Sequence, residues 1–173
     1  MLSLFRSKVN PAIHALHDAI VRGSRAESFY TRHQVPDTVD GRYGLLVVHA
    51  FLVLRRLRGV ADELAQQVFD SIFAQLDLNM RELGVGDLGV GKRVRAMAEA
   101  MYGSMSAYEA GIKTESDEAL YRALANNLYG TLPVAPAPGT VQPVIAYMRE
   151  AAALIERQPL DEILAGKVVF PHV

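Results

Sequence analysis

Lys92, Arg93 and Arg95 follow four closely spaced glycines, Gly84, Gly86, Gly89 and Gly91, a combination that suggests phosphate chemistry. Gly84-Val85-Gly86-Asp87-Leu88-Gly89 fits G-x-G-x-x-G, and Gly86 to Lys92 fits G-x-x-x-x-G-K. In both patterns backbone amides at a helix N-terminus cradle phosphate, and a strand running into the loop aims them. Here the preceding segment has helical period instead, with Leu64, Val68, Phe69, Ile72, Phe73, Leu76, Met80 and Leu83 recurring every three or four residues. Arg93 stands where magnesium needs Ser or Thr, and Asp87 sets a carboxylate inside the cradle. The glycines read as an interhelical turn, with Asp87 capping the next helix. The cations still need a reason. A helix N-terminus is the positive end of the dipole, so each costs roughly a few tenths of a kcal/mol there. A partner outside the helix supplies the reason, and nucleotide does not.

Other constellations carry less chemistry. His14 and His17, three residues apart, have metal-ligand spacing, but no third ligand stands nearby and a surface pair is the reading. His49, inside an apolar run, reads as a hydrogen-bonded core histidine. Glu63, Asp70 and Asp77 share a stripe, as in a di-iron bundle, yet no Glu is followed three residues later by His. No serine lies in Gly-x-Ser-x-Gly. The chain has no cysteine, which excludes disulfides, thiol catalysis and cysteine metal sites. A protein without enzymatic activity and without a cofactor is expected. Met97, Met101 and Met105 form a stripe that reads as core packing, with a soft binding surface as the alternative.

The elements that position these residues are helices. The 173 residues suffice for one domain, half of them are apolar, and the net charge is −1. That balance argues against a nucleic-acid protein relying on bulk charge and against a disordered acidic chain. Met1 to Pro11 lacks the apolar core of a secretory signal and is too short and arginine-poor for a transit peptide. The longest uncharged apolar run, Gly44 to Leu54, is about half the ~20 residues needed to span a membrane. A cytoplasmic protein is expected, free or peripheral at the inner membrane.

The pattern predicts an all-α fold over residues 1–173, a single domain of six or seven helices around a central apolar one. Asn10-Pro11 opens the first helix, to about Val21. Ser24 to Glu27 reads as a capping box for a short second helix. Asp37 or Asp40 starts the apolar third helix, buried most deeply over 43–57 and ended by Gly59, with Arg55, Arg56 and Arg58 suiting its dipole. The fourth runs from Ala61 to Leu83, the fifth from Leu88 to Ile112 and the sixth from Asp117 to Tyr129. A stiff connector, Thr131 to Gly139, leads to a helix from Gln142 to Arg157, and Pro159 to Leu164 adds a turn. Residues 1–9 and the tail 166–173 read as peripheral, the tail without an evident partner.

Asp40-Gly-Arg-Tyr43, His49 ahead of Leu54-Arg-Arg-Leu-Arg58, Asn79 to Val94, and Ala98 to Gly103 resemble the ubiquinol–cytochrome c chaperone family. The resemblance spans roughly residues 25 to 130, and Arg81 to Asp87 is its most specific block. It implies a helical assembly factor for the cytochrome bc1 complex that contacts newly made cytochrome b or another assembly protein, close to the ribosome or the inner membrane. Sequence-specific nucleic-acid binding is not expected, and a monomer is. The resemblance implies a bacterial member, a group expected to lack the mitochondrial extension. Ser104 and Phe51 depart from the pattern, which has a basic residue and, in some relatives, a tryptophan there.

Motif and physics together make Asp77, Asn79, Arg81, Asp87, Lys92, Arg93, Arg95 and Tyr102 the expected partner-binding surface. The competing account holds the cations in an internal net with Glu82 and Asp87. The alternative function is peripheral membrane or lipid binding through Met1 to Phe5 and the apolar helix.

Overall fold

The protein's structure, a computed structural model, describes residues 10–84 and 86–173, with Asp87 and Leu88 described by backbone alone. Eight helices and no strands lie among the described residues: α1 (Pro11–Ser24), α2 (Ser28–Thr31), α3 (Val39–Leu57), α4 (Asp62–Glu82), α5 (Asp87–Lys113), α6 (Glu118–Asn127), α7 (Pro138–Arg157) and α8 (Leu160–Leu164). The eighth is the extra turn expected after Pro159.

α3 is the axis because it has no polar face to offer water. Leu45, Val48, His49, Ala50, Phe51, Val53 and Leu57 are sealed from solvent on all its sides. α1, α4, α5 and α7 pack against it, and α6 bridges α5 and α7. Burying a side chain the size of Phe51 contributes about 1.5–3 kcal/mol. Thr38, rather than Asp37 or Asp40, caps α3: its Oγ1 accepts the Gly41 amide at 3.1 Å. Asp37 pairs instead with Arg42 at 2.7 Å. Gly41 is required, since a Cβ there would meet the Pro36 carbonyl oxygen at 1.9 Å.

α1 opens as expected, with Asn10 Oδ1 accepting the Ala12 amide at 3.0 Å and Pro11 in the first turn. It then runs three residues past Val21. Ser24 is its last residue, buried, with its hydroxyl donating to the Val21 carbonyl at 2.9 Å. The expected capping box therefore does not form, and α2 is one turn without a side-chain cap. On α5, Met101 and Met105 are buried and Met97 is half-buried against the core. The methionine stripe is packing, and the soft-surface alternative falls. α7 starts at Pro138, four residues before Gln142, because proline suits the first helical turn. Pro143 is tolerated inside it on an exposed face.

The tail has a partner after all. Gly166, at φ +89°, turns the chain where a Cβ would come within 2.6 Å of Ala15 on α1. The Gln158 carboxamide then donates to the Lys167 carbonyl at 3.0 Å and accepts the Val169 amide at 3.2 Å. Val168, Phe170 and Val173 reach the core, and the Phe170 ring lies edge-on to His49 at 4.9 Å. Alternation of apolar residues here serves a docked extended strap rather than a sheet.

Candidate functional site

The turn joining α4 to α5 is shorter than its glycines suggest. α4 ends at Glu82, Gly84 adopts φ +82°, and α5 begins at Asp87 with Gly86 as its cap. Asp87 thus sits one residue inside the helix rather than at its cap, and its side chain lies outside the described residues. Gly89 and Gly91 belong to the opening turns of α5, and a Cβ at Gly91 would meet open space. The segment leading into the glycines is a helix, so nothing aims the amides as a strand would.

Around this tip Lys92, Arg93 and Arg95 are exposed, and among the described side chains no ion pair holds them. Arg81 pairs with Asp77 one turn back, Nε to Oδ2 at 2.5 Å. Glu82 joins no cation among the described residues, so the expected net from that side does not form. Leu83 is 83% exposed and Leu78 49%. The tip is therefore a mixed surface of apolar side chains and cations.

The eight expected residues do not all converge. Asn79 lies two residues beyond Asp77, about 200° around the helix, and accepts from Gln75 at 2.8 Å on that other side. Tyr102 lies two turns beyond Arg95 on the same face, about 22 Å along α5 from its start. There its ring stacks on Phe69 of α4 at 4.9 Å and remains half exposed. Lys92, Arg95 and Tyr102 form one outward stripe of α5, with Asp77 and Arg81 across the turn.

The histidines are placed by packing. His14 is exposed, and His17 Nδ1 meets the Ser71 hydroxyl at 3.2 Å, tying α1 to α4. No three His, Asp or Glu side chains converge as metal ligands among the described residues. His49 is buried and hydrogen-bonded, as expected, to the Leu45 carbonyl and the Tyr147 hydroxyl, each at 2.8 Å. Burial holds its pKa down at about 4, the Leu45 bond offsetting this in part. Arg55 and Arg56 do more than suit the dipole. Arg55 bridges Glu109 of α5 and Glu156 of α7 at 3.1 and 3.3 Å, and Arg56 donates to the Ile155 carbonyl.

One feature escaped the sequence. A cleft of about 290 Å³ opens between α3, α5 and the C-terminal end of α6, with Asp40, Tyr43, Ser104, Tyr108, Asn126 and Asn127 among its walls. Tyr108 is fully buried, yet its hydroxyl has no partner in hydrogen-bonding geometry. Burial raises its pKa, and the Asn127 side chain beside it offsets this in part. The Asn126-Asn127 pair at a helix end was the available signal, and its meaning depends on what folds over it.

Fold and surface define a class first: an all-α protein with a wholly buried central helix and a charged, partly apolar tip. Residues 31–170 match the family described as ubiquinol-cytochrome C chaperone, and the chain belongs to it. The match reaches beyond residue 130, taking in the connector, α7, α8 and most of the docked tail. The fold also matches the crystal structure of the Cbp3 homolog from Brucella abortus, at 33% sequence identity and a TM-score of 0.83, over 96% of this chain and 93% of that one. No curated protein matches the chain.

Proposed function

We propose that the protein is a chaperone for assembly of the cytochrome bc1 complex, acting by binding and without covalent chemistry. The observation that carries this is family membership over residues 31–170 combined with a shared fold along nearly the whole chain. The client is newly made cytochrome b or another assembly protein, met as a monomer in the cytoplasm, near the ribosome or at the inner-membrane surface. The binding surface is the α4–α5 tip with the outward stripe of α5, where Arg81, Lys92, Arg93 and Arg95 provide polar anchors beside Leu78, Leu83 and Tyr102. Asp77, Asn79 and Asp87 flank them. A chaperone that uses no nucleotide must release its client by competition or maturation, so such a mixed, rim-like surface suits it better than a sealed apolar groove.

The membrane-binding alternative loses half its basis. α3 is consumed by the core, and no helix among the described residues is long and apolar enough to cross a membrane. Its other half, Met1 to Phe5, lies outside the described residues. Crosslinking from the native cell tests the proposal: capture of a bc1 subunit or assembly protein is expected. Normal bc1 levels in a cell lacking the gene, with no such capture, would refute it.

A further inference from the structure

We infer that the cleft between α3, α5 and α6 is a receptor for the guanidinium of an arginine carried at the end of an apolar client helix. Asp40 supplies the lining's one carboxylate, on the first turn of α3, and it has no ion pair among the described residues. Asn126 makes no side-chain hydrogen bond there either, and the Ser104 hydroxyl, donating to Ala100, keeps its lone pairs free. Tyr108 also lines the cleft with the Asn127 side chain beside it, its hydroxyl fully buried and outside hydrogen-bonding geometry. Such a group costs about 1–3 kcal/mol if nothing satisfies it, and buried polar groups are otherwise paired. Among the described residues the walls thus carry one carboxylate, neutral amides and hydroxyls, and no cation, so their net charge disfavours phosphate or carboxylate. A guanidinium presents five donors in a plane and keeps its charge, matching a carboxylate beside neutral oxygens.

The cleft continues into a trough of about 600 Å³ between α5 and α6, sharing Ala100, Ser104, Asn126 and Asn127 with it. Gly103, Ala107 and Ala110 on α5 face Ala119 and Ala123 on α6 along that trough. Small side chains let another helix approach closely. Arg122, at its edge, is already paired with Glu118. The occupant that fits both halves is an apolar helix ending in arginine. Helices of inner-membrane proteins have that form at their cytoplasmic ends, where Lys and Arg collect. The inference rests on the reading that the client is a membrane protein.

The test uses the full chain and fluorescent helical peptides with one apolar face ending in arginine, or in citrulline, its neutral isostere. The arginine peptide should bind at least about ten-fold more tightly, about 1.4 kcal/mol, and Asp40→Asn should abolish the preference. Tyr108→Phe should weaken the arginine peptide several-fold while leaving the melting temperature unchanged or higher. Equal binding of both peptides, or a preference that survives Asp40→Asn, overturns the inference. So does a Tyr108→Phe protein that melts lower yet binds normally, which would make the hydroxyl structural. If the preference is absent while bc1 proteins are still captured from cells, only the inference fails. If it holds and no bc1 protein is captured, the cleft stands and the proposed function fails.

Discussion

His49 on α3 and Tyr147 on α7 share a buried hydrogen bond of 2.8 Å across 98 residues of sequence. The Leu45 carbonyl can only accept, so His49 Nδ1 carries the ring proton and Nε2 accepts from the Tyr147 hydroxyl. Phe29 lies edge-on to both rings, at 5.6 and 5.0 Å, and Phe170 closes the other side. A Cβ on Gly23 would come within 2.6 Å of the imidazole, so α1 approaches it closely too. Four segments distant in sequence meet on one neutral ring.

Acid should loosen that knot. The folded pKa of about 4 lies below the ordinary 6.5, so the unfolded chain takes up the proton first. Stability is fully present above pH 6.5 and declines as pH falls toward 4, by on the order of 3 kcal/mol. Denaturant titrations across that range should show the slope in the wild type, and subtracting the same series for His49→Gln should isolate it. An equal slope in both proteins would assign the acid sensitivity elsewhere.

The tail should matter to stability. Gly166→Ala forces a side chain into φ +89° against Ala15 and should cost about 1–3 kcal/mol. Phe170→Ala should cost about 2 kcal/mol, below the ~3–5 kcal/mol typical of fully buried phenylalanine, because its side chain is only partly buried. Melting curves check both. A tail that can be altered without effect would mean its packing is incidental.

Changing Lys92, Arg93 and Arg95 together to Ser should leave the fold nearly intact, since exposed charges contribute under about 1 kcal/mol each. Client capture should drop, with a larger difference from wild type at low salt than at high salt, where screening already weakens the contact. Early unfolding of the triple variant would make the cluster scaffold. Unchanged capture would move the binding surface away from the tip.

Arg55→Ala should destabilise by about 1–2 kcal/mol, less than a fully buried pair would lose. Its guanidinium is a quarter exposed, and Glu109 keeps Lys113 at 3.2 Å as a second partner. Adding Glu109→Gln should recover part of the loss by removing a mostly buried carboxylate left with Lys113 alone. A double variant less stable than the single one would show that Glu109 is held mainly by other contacts.

Helices α3, α4 and α5 were legible because their apolar spacing is regular and long, and a helix apolar on every side has only the centre to occupy. The basic cluster was legible from its place behind the glycines, although α5 begins early enough, at Asp87, to set it beyond the first turn. The misread starts of α2 and α3 share a cause. Ser24, Asp37 and Asp40 all had cap chemistry available, and the backbone path selected Thr38 for the cap while Ser24 turned back onto its own helix.

By itself, then, the sequence determined the helical class, the central element, the absence of thiol chemistry and the family, since each depends on local spacing or residue type. Tertiary structure alone decided the rest. The docked tail depends on Gly166 finding Ala15 in space, and the Arg55 junction on two carboxylates 54 and 101 residues away. The cleft depends on α6 ending beside Asp40, leaving Tyr108 buried with its hydroxyl unmatched. Hydrogen bonds, ion pairs and cavities form between surfaces whose juxtaposition is a property of the packed core, and no window of sequence contains both sides.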